Sequence, residues 1–120
     1  MSKRVLICDD SMLIRKMIAD SLIDDGWEVV GEAGNGQEAI EKYETLRPDA
    51  VTMDIVMPEY DGLHGLEGIV SHDPEAKVFV VSALSQTKLV SEAIRKGAQD
   101  FIVKPFDPTQ LQATLNACVA

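Results

Sequence analysis

"VTMDIVMPEYDG", residues 51–62, sets one carboxylate between two apolar runs. Val51, Thr52 and Met53 read as a strand, and Ile55, Val56 and Met57 carry the apolar character past Asp54. Near-continuous apolar runs of this kind belong to parallel sheets whose faces are both covered. An ionised carboxylate is almost never buried there without a partner. Asp54 therefore ends a buried strand and needs a counter-charge or a task.

Working outward, four more apolar runs flank this one, at 4–8 (RVLIC), 27–33 (WEVVGEA), 77–83 (KVFVVSA) and 100–103 (DFIV), with the central strand over 50–54. Between them, apolar residues recur at helical spacing. Ile14, Ile18 and Leu22 form the first stripe, and Arg15 and Lys16 fall off it. Ala39, Ile40, Tyr43 and Leu46 form the second, and Leu63, Leu66, Ile69 and Val70 the third. Val90, Ala93 and Ile94 mark the fourth, and Leu111, Leu115 and Val119 the fifth. Gly97 suits a helix stop and Pro108 a helix first turn. The order is strand–helix five times, which implies one α/β domain with a parallel sheet, helices on both faces and right-handed crossovers.

In open sheets of this type, ligands bind beyond the carboxyl ends of the strands, at a topological switch point. Here the strands end in Asp9 and Asp10, Asp54, Ser82 and Lys104. Parallel strands bring these side chains to one edge. Taken singly, each has an ordinary explanation: acids at a strand end are solvated, and Asp54 is a salt-bridge partner for Lys104. Together the three carboxylates, with a backbone carbonyl, make a hard, all-oxygen donor set suited to Mg²⁺, with Mn²⁺ able to substitute, rather than to zinc. Lys104 adds a point charge for a carboxylate or a phosphoryl oxygen. A metal, a lysine and a hydroxyl around one carboxylate fit phosphoryl transfer to that carboxylate, with Asp54 as acceptor.

Composition excludes several classes. The 120 residues carry 20 acidic and 11 basic side chains, a net charge of -9. Direct nucleic-acid binding needs clustered Lys and Arg, so none is expected. Cys8 and Cys118 have neither metal-ligand nor CxxC spacing and are expected to be reduced thiols of a cytoplasmic protein. The N-terminal apolar run is too short for a leader or an anchor, and no membrane span is expected.

At this point a resemblance appears. From "VLICDDS" through "DIVMPEYDG" and "VVSA" to "FIVKPF", the chain resembles the receiver domain of two-component response regulators, the free-standing chemotaxis type in particular. The resemblance implies a single receiver domain over 1–120 with the flavodoxin-like strand order 2-1-3-4-5. It implies a signalling switch rather than an enzyme, phosphorylated on Asp54 by a sensor histidine kinase (CheA-like if the role is chemotaxis). Asp10 is implied as a direct Mg²⁺ ligand, Asp9 as a second-sphere one, and the Val56 carbonyl as a further ligand. Lys104 is the implied phosphoryl contact, preceding a cis Pro105, and Ser82 the switch hydroxyl. Phe101 stands where chemotaxis receivers commonly carry tyrosine. Lacking a hydroxyl, it is expected to be biased inward, and its ordinary reading is a core phenylalanine. The resemblance implies that Val56 and Leu84 flank the path of a hydrolytic water, to which their side chains offer no hydrogen bond. Slow self-dephosphorylation, with a phosphatase partner, is therefore expected. Output is expected through the face formed by the fourth helix, fifth strand and fifth helix, with Lys88, Ser91, Glu92, Phe101 and Gln112 as candidates.

Three other readings compete. "GNGQEA" (34–39) mimics a dinucleotide fingerprint, but a lone match after the second strand is weak and reads as the loop into a helix. A haloacid-dehalogenase-type phosphatase needs a second acid two residues beyond its aspartate, where this chain has Val56. A receiver fragment of a larger DNA-binding regulator would carry the same residues.

Overall fold

The computed structural model describes residues 3–119; the side chain of Val119, assigned above to the last apolar stripe, lies outside what is described. The elements alternate as the apolar runs require: β1 (Arg4–Cys8), α1 (Met12–Ile23), β2 (Glu28–Ala33), α2 (Gly36–Leu46), β3 (Ala50–Asp54), α3 (Gly62–His72), β4 (Val78–Ala83), α4 (Thr87–Arg95), β5 (Asp100–Lys104) and α5 (Pro108–Val119). All strand pairs are parallel, in the order β2-β1-β3-β4-β5. β2 and β4 each begin one residue later than the apolar runs suggest, and β5 extends through Lys104, which pairs with Ala83.

β3 is buried along its whole length, as a central strand covered on both faces must be. Because side chains alternate across a strand, the core divides in two. Val5, Ile7, Phe79, Val81 and Ile102 pack against Ile18 and Leu22 of α1 and Leu111 and Leu115 of α5. Leu6, Val51, Met53 and Val80 pack on the other side, against Ala39, Leu66, Ile69 and Ala93 of α2, α3 and α4. Each fully buried aliphatic side chain contributes about 1.5–3 kcal/mol. Truncating the wholly buried Leu66 to alanine removes contacts that nothing else fills, at a cost of about 2–5 kcal/mol.

Three helices start just beyond strand ends, and each start is capped by a side chain. Ser11 Oγ accepts from Ile14 N at 3.2 Å, Asn35 Oδ1 from Glu38 N at 3.0 Å and Asp61 Oδ1 from His64 N at 2.9 Å. The "GNGQEA" stretch is therefore the capped entry to α2. Gly97, at φ +113, takes the left-handed conformation that ends the α4 segment. Trp27 precedes β2 at the amino end of the sheet, buried, with Nε1 donating to Asn116 Oδ1 at 3.2 Å.

Candidate functional site

The β1–β3 boundary is where the strand order reverses, and the carboxylates meet there. Oxygens of Asp9, Asp10 and Asp54 lie within 4.8 Å of one another. Asp9 and Asp54 are buried, and Asp10 is exposed. Lys104 Nζ reaches across from β5 to Asp9 Oδ2 at 3.1 Å and Asp54 Oδ2 at 3.2 Å. The Lys104–Pro105 bond is cis.

One cation among three carboxylates leaves the charge uncompensated. Burial first, and repulsion from Asp9 second, push the Asp54 carboxyl above its ordinary range, against the pull of Lys104. Burial works against the Lys104 ammonium, but hydrogen bonding to Asp9 and the charge of Asp54 more than offset it, so its pKa is raised. A cluster in this state gains from any further cation.

Asp9 is held at every polar atom. Its N–H donates to Ala33 O at 2.9 Å, and its Oδ1 accepts from Ser11 N at 2.9 Å. Its carbonyl accepts from Arg15 Nη1 at 2.6 Å. Asp54 Oδ1 accepts from Val56 N at 3.3 Å, which folds the chain after β3 back over the carboxylate. Gly62 lies directly against this turn. A Cβ there would stand 2.1 Å from Asp54 O and 2.7 Å from Ile55 Cα, so no larger residue fits without moving the backbone that carries Asp54. The sequence marks Gly62 only as a turn residue, and this close approach has no counterpart in composition.

Ser82, at the β4 end, is wholly buried, and its Oγ has no hydrogen-bond partner among the described residues. It lines a cavity of ≈ 560 Å³ between α4 and β5, with Val90, Ile94, Phe101 and Val103. Thr52 Oγ1, on β3, is likewise buried and unpartnered, and nothing in the structure explains it. Cys8 is buried beneath the site, where burial pushes its thiol up and out of reach of thiolate chemistry; both cysteines are free.

Two sequence expectations need correction. Phe101 is not turned inward and is not a core residue: it is 44% exposed at the mouth of that cavity. β5 is the edge strand, so no further strand encloses the α4 side of residue 101, while Ile102 on the other face is buried under α5. Gln112 does not belong to the candidate output face, because its Nε2 donates to Ser21 O at 2.8 Å and ties α5 to α1. Lys88, Ser91 and Glu92 do lie together on the exposed side of α4. Val56 and Leu84 are exposed, at 52% and 76%, on the segments that leave β3 and β4.

An acid-lined crevice at the switch point of a 2-1-3-4-5 sheet, spanned by one lysine, defines a flavodoxin-like α/β protein with a carboxylate cluster at its strand ends. Residues 5–116 match the family model for the response regulator receiver domain, and the chain belongs to that family. The chain is 53% identical over 116 residues to a chemotaxis protein CheY of Thermotoga maritima, covering 97% of each. Identity to the chemotaxis protein CheY of Listeria monocytogenes is 50% over 112 residues, covering 93% of this chain and 94% of that one. Among solved structures, the CheX–CheY–BeF₃–Mg²⁺ complex of Borrelia burgdorferi superposes with a TM-score of 0.92 at 35% identity, over 98% of this chain and 89% of the other. Among the described residues, no helix is long and apolar enough to cross a membrane.

Proposed function

We propose that this chain is a phosphorylation-activated switch of a two-component system, in which Asp54 accepts a phosphoryl group from a sensor histidine kinase. The observation that carries this reading is the Asp9, Asp10 and Asp54 cluster with Lys104 bridging two of its members. In the reaction, an Asp54 carboxylate oxygen forms a bond to phosphorus as the donor's P–N bond breaks. The electron pair leaves on the imidazole nitrogen, which takes up a proton. Lys104 exchanges its bond to Asp54 for one to a phosphoryl oxygen. The buried Ser82 hydroxyl, now without a partner, gains a phosphoryl oxygen as its acceptor.

The donor set fits Mg²⁺: three carboxylates clustered within 4.8 Å, all oxygen, and under-compensated by Lys104. Asp10 would hold the ion directly, with the Val56 carbonyl and Asp54, and Asp9 from the second sphere. When bound, Mg²⁺ supplies neutralising charge to the transferring phosphoryl oxygens. A similar solved structure, the Borrelia complex, contains Mg²⁺ and BeF₃, which supports reading this chain as a Mg²⁺-dependent phosphoryl acceptor.

Chemotaxis is the pathway we favour, because the relatives of 53% and 50% identity are chemotaxis proteins and match along nearly their whole length. Output runs through the α4–β5–α5 face, where Phe101 stands exposed beside the apolar cavity and next to Ser82. The signal ends slowly, by a phosphatase partner or by back-transfer, since the side chains of Val56 and Leu84 offer an attacking water no hydrogen bond. Phosphorylation with acetyl phosphate, borohydride reduction and peptide mapping test the assignment. Homoserine at position 54 is expected; homoserine at Asp9 or Asp10 instead would overturn it.

A further inference from the structure

We infer that Arg15 is a positioning residue for the acid pair, fixing the peptide plane from which Asp10 meets the metal. The inference rests on the Mg²⁺ reading above. Arg15 falls off the apolar stripe of α1 and looks like an ordinary surface cation. Its side chain points back toward the helix start, as helical side chains do, and is only 18% exposed. There Nη1 donates to the Asp9 carbonyl at 2.6 Å and Nε donates to Glu32 Oε1 at 2.8 Å. One planar group thus ties the loop after β1 to the end of β2.

The consequence falls on Asp10. The Asp9 carbonyl and the Asp10 amide share one rigid plane, so fixing that carbonyl fixes the direction in which Asp10 leaves the strand. The Asp10 carboxylate is exposed and accepts no hydrogen bond from the described residues. The backbone therefore sets where this side chain starts from, and Arg15 holds that backbone together with the Asp9 carboxylate, which accepts from Ser11 N at 2.9 Å. A lysine keeps the charge but lacks the fork, and one ammonium cannot reproduce both arms in that geometry.

Charge and geometry make opposite demands, which gives the test its sign. As a mere cation bonded at Asp9, Arg15 opposes the approach of a divalent ion, so its removal should tighten Mg²⁺ binding. As a positioning group, its replacement should weaken it. Mg²⁺ affinity is measured by calorimetry for the wild type, Arg15→Lys, Arg15→Gln and Glu32→Gln, with thermal unfolding of each. Loss of an outer partner of a metal site costs roughly 10–100-fold in affinity, and a loop anchor belongs at the low end. Arg15→Lys and Arg15→Gln are each expected to weaken Mg²⁺ about tenfold, and Glu32→Gln, which loosens one arm, roughly threefold. The Mg²⁺ half-saturation of acetyl phosphate-driven phosphorylation should rise in step, by more than the limiting rate falls. Arg15→Lys binding Mg²⁺ within about twofold of wild type, or Arg15→Gln binding it more tightly, overturns the inference, whatever happens to the melting temperature. If both Arg15 variants fail to fold, Glu32→Asp, which keeps the charge but shortens the arm, decides in their place, and unchanged affinity in it is equally fatal. A wild type that binds no Mg²⁺ brings down the metal reading itself, and the role of Arg15 with it.

Discussion

Replacing Ser82 by alanine should stabilise the unphosphorylated protein. Ser82 is 1% exposed and its hydroxyl finds no partner among the described residues, so folding strips it of water without return. A buried polar group in that state costs about 1–3 kcal/mol. Removing one oxygen atom enlarges the neighbouring cavity slightly, a term of about 0.4 kcal/mol at roughly 24 cal/mol per Å³. The net gain is about 1 kcal/mol, or roughly a 4 °C rise in melting temperature for a domain of this size. In the phosphorylated state the balance reverses, because the hydroxyl then has a charged acceptor. Denaturant unfolding of wild type and Ser82→Ala, with and without Mg²⁺ and beryllofluoride, gives both numbers. Beryllofluoride should stabilise the wild type by about 1–2 kcal/mol more than the variant. A Ser82→Ala protein less stable than wild type without the ligand would mean that the hydroxyl is satisfied, and equal stabilisation by beryllofluoride would remove Ser82 from the switch.

Other outcomes follow from the site. Because burial and Asp9 raise the Asp54 carboxyl's pKa in the folded state, ionised Asp54 destabilises the fold above the ordinary carboxylate range and ceases to do so once protonated. Asp54→Asn should therefore raise stability at neutral pH, with the gain fading as the pH falls through the raised pKa; a gain that grows on acidification would contradict the sign. Val56→Asn combined with Leu84→Glu should speed decay of the phosphorylated protein about tenfold by giving the attacking water polar neighbours. Unchanged decay, with Mg²⁺ affinity intact, would make these two plain rim residues. Trp27 sits at the amino end of the sheet against Asn116, so saturating Mg²⁺ should leave its fluorescence nearly unaltered; strong quenching would be incompatible with the site's position.

What could be read from residue order was whatever depends on periodicity and on shared strand direction. Asp9, Asp10, Asp54 and Lys104 come together because parallel strands end at one edge, and no contact had to be known in advance. The reach of Lys104 to both Asp9 and Asp54 needed only that parity puts them on one side of the sheet. Phe101 and Gln112 failed for a different reason: each depends on what covers a position, and coverage is a tertiary property. An edge strand leaves Phe101 half open, while α1 lies close enough to α5 to take the side-chain amide of Gln112. Arg15 and Gly62 were legible only as a surface cation and a turn residue. Their spacing was available, since Arg15 lies one turn beyond the Ser11 cap, but the carbonyl it reaches belongs to a loop whose path no periodicity describes.

The central claim is that Asp54 is where the phosphoryl group goes, and intact-protein mass spectrometry tests it most directly. Wild type and Asp54→Asn are incubated with acetyl phosphate, each with Mg²⁺ and with chelator. Wild type with Mg²⁺ should gain one phosphoryl group that hydroxylamine removes, and the other three samples should gain none. Incorporation into Asp54→Asn at the wild-type rate would contradict the assignment of the acceptor and the function built on it.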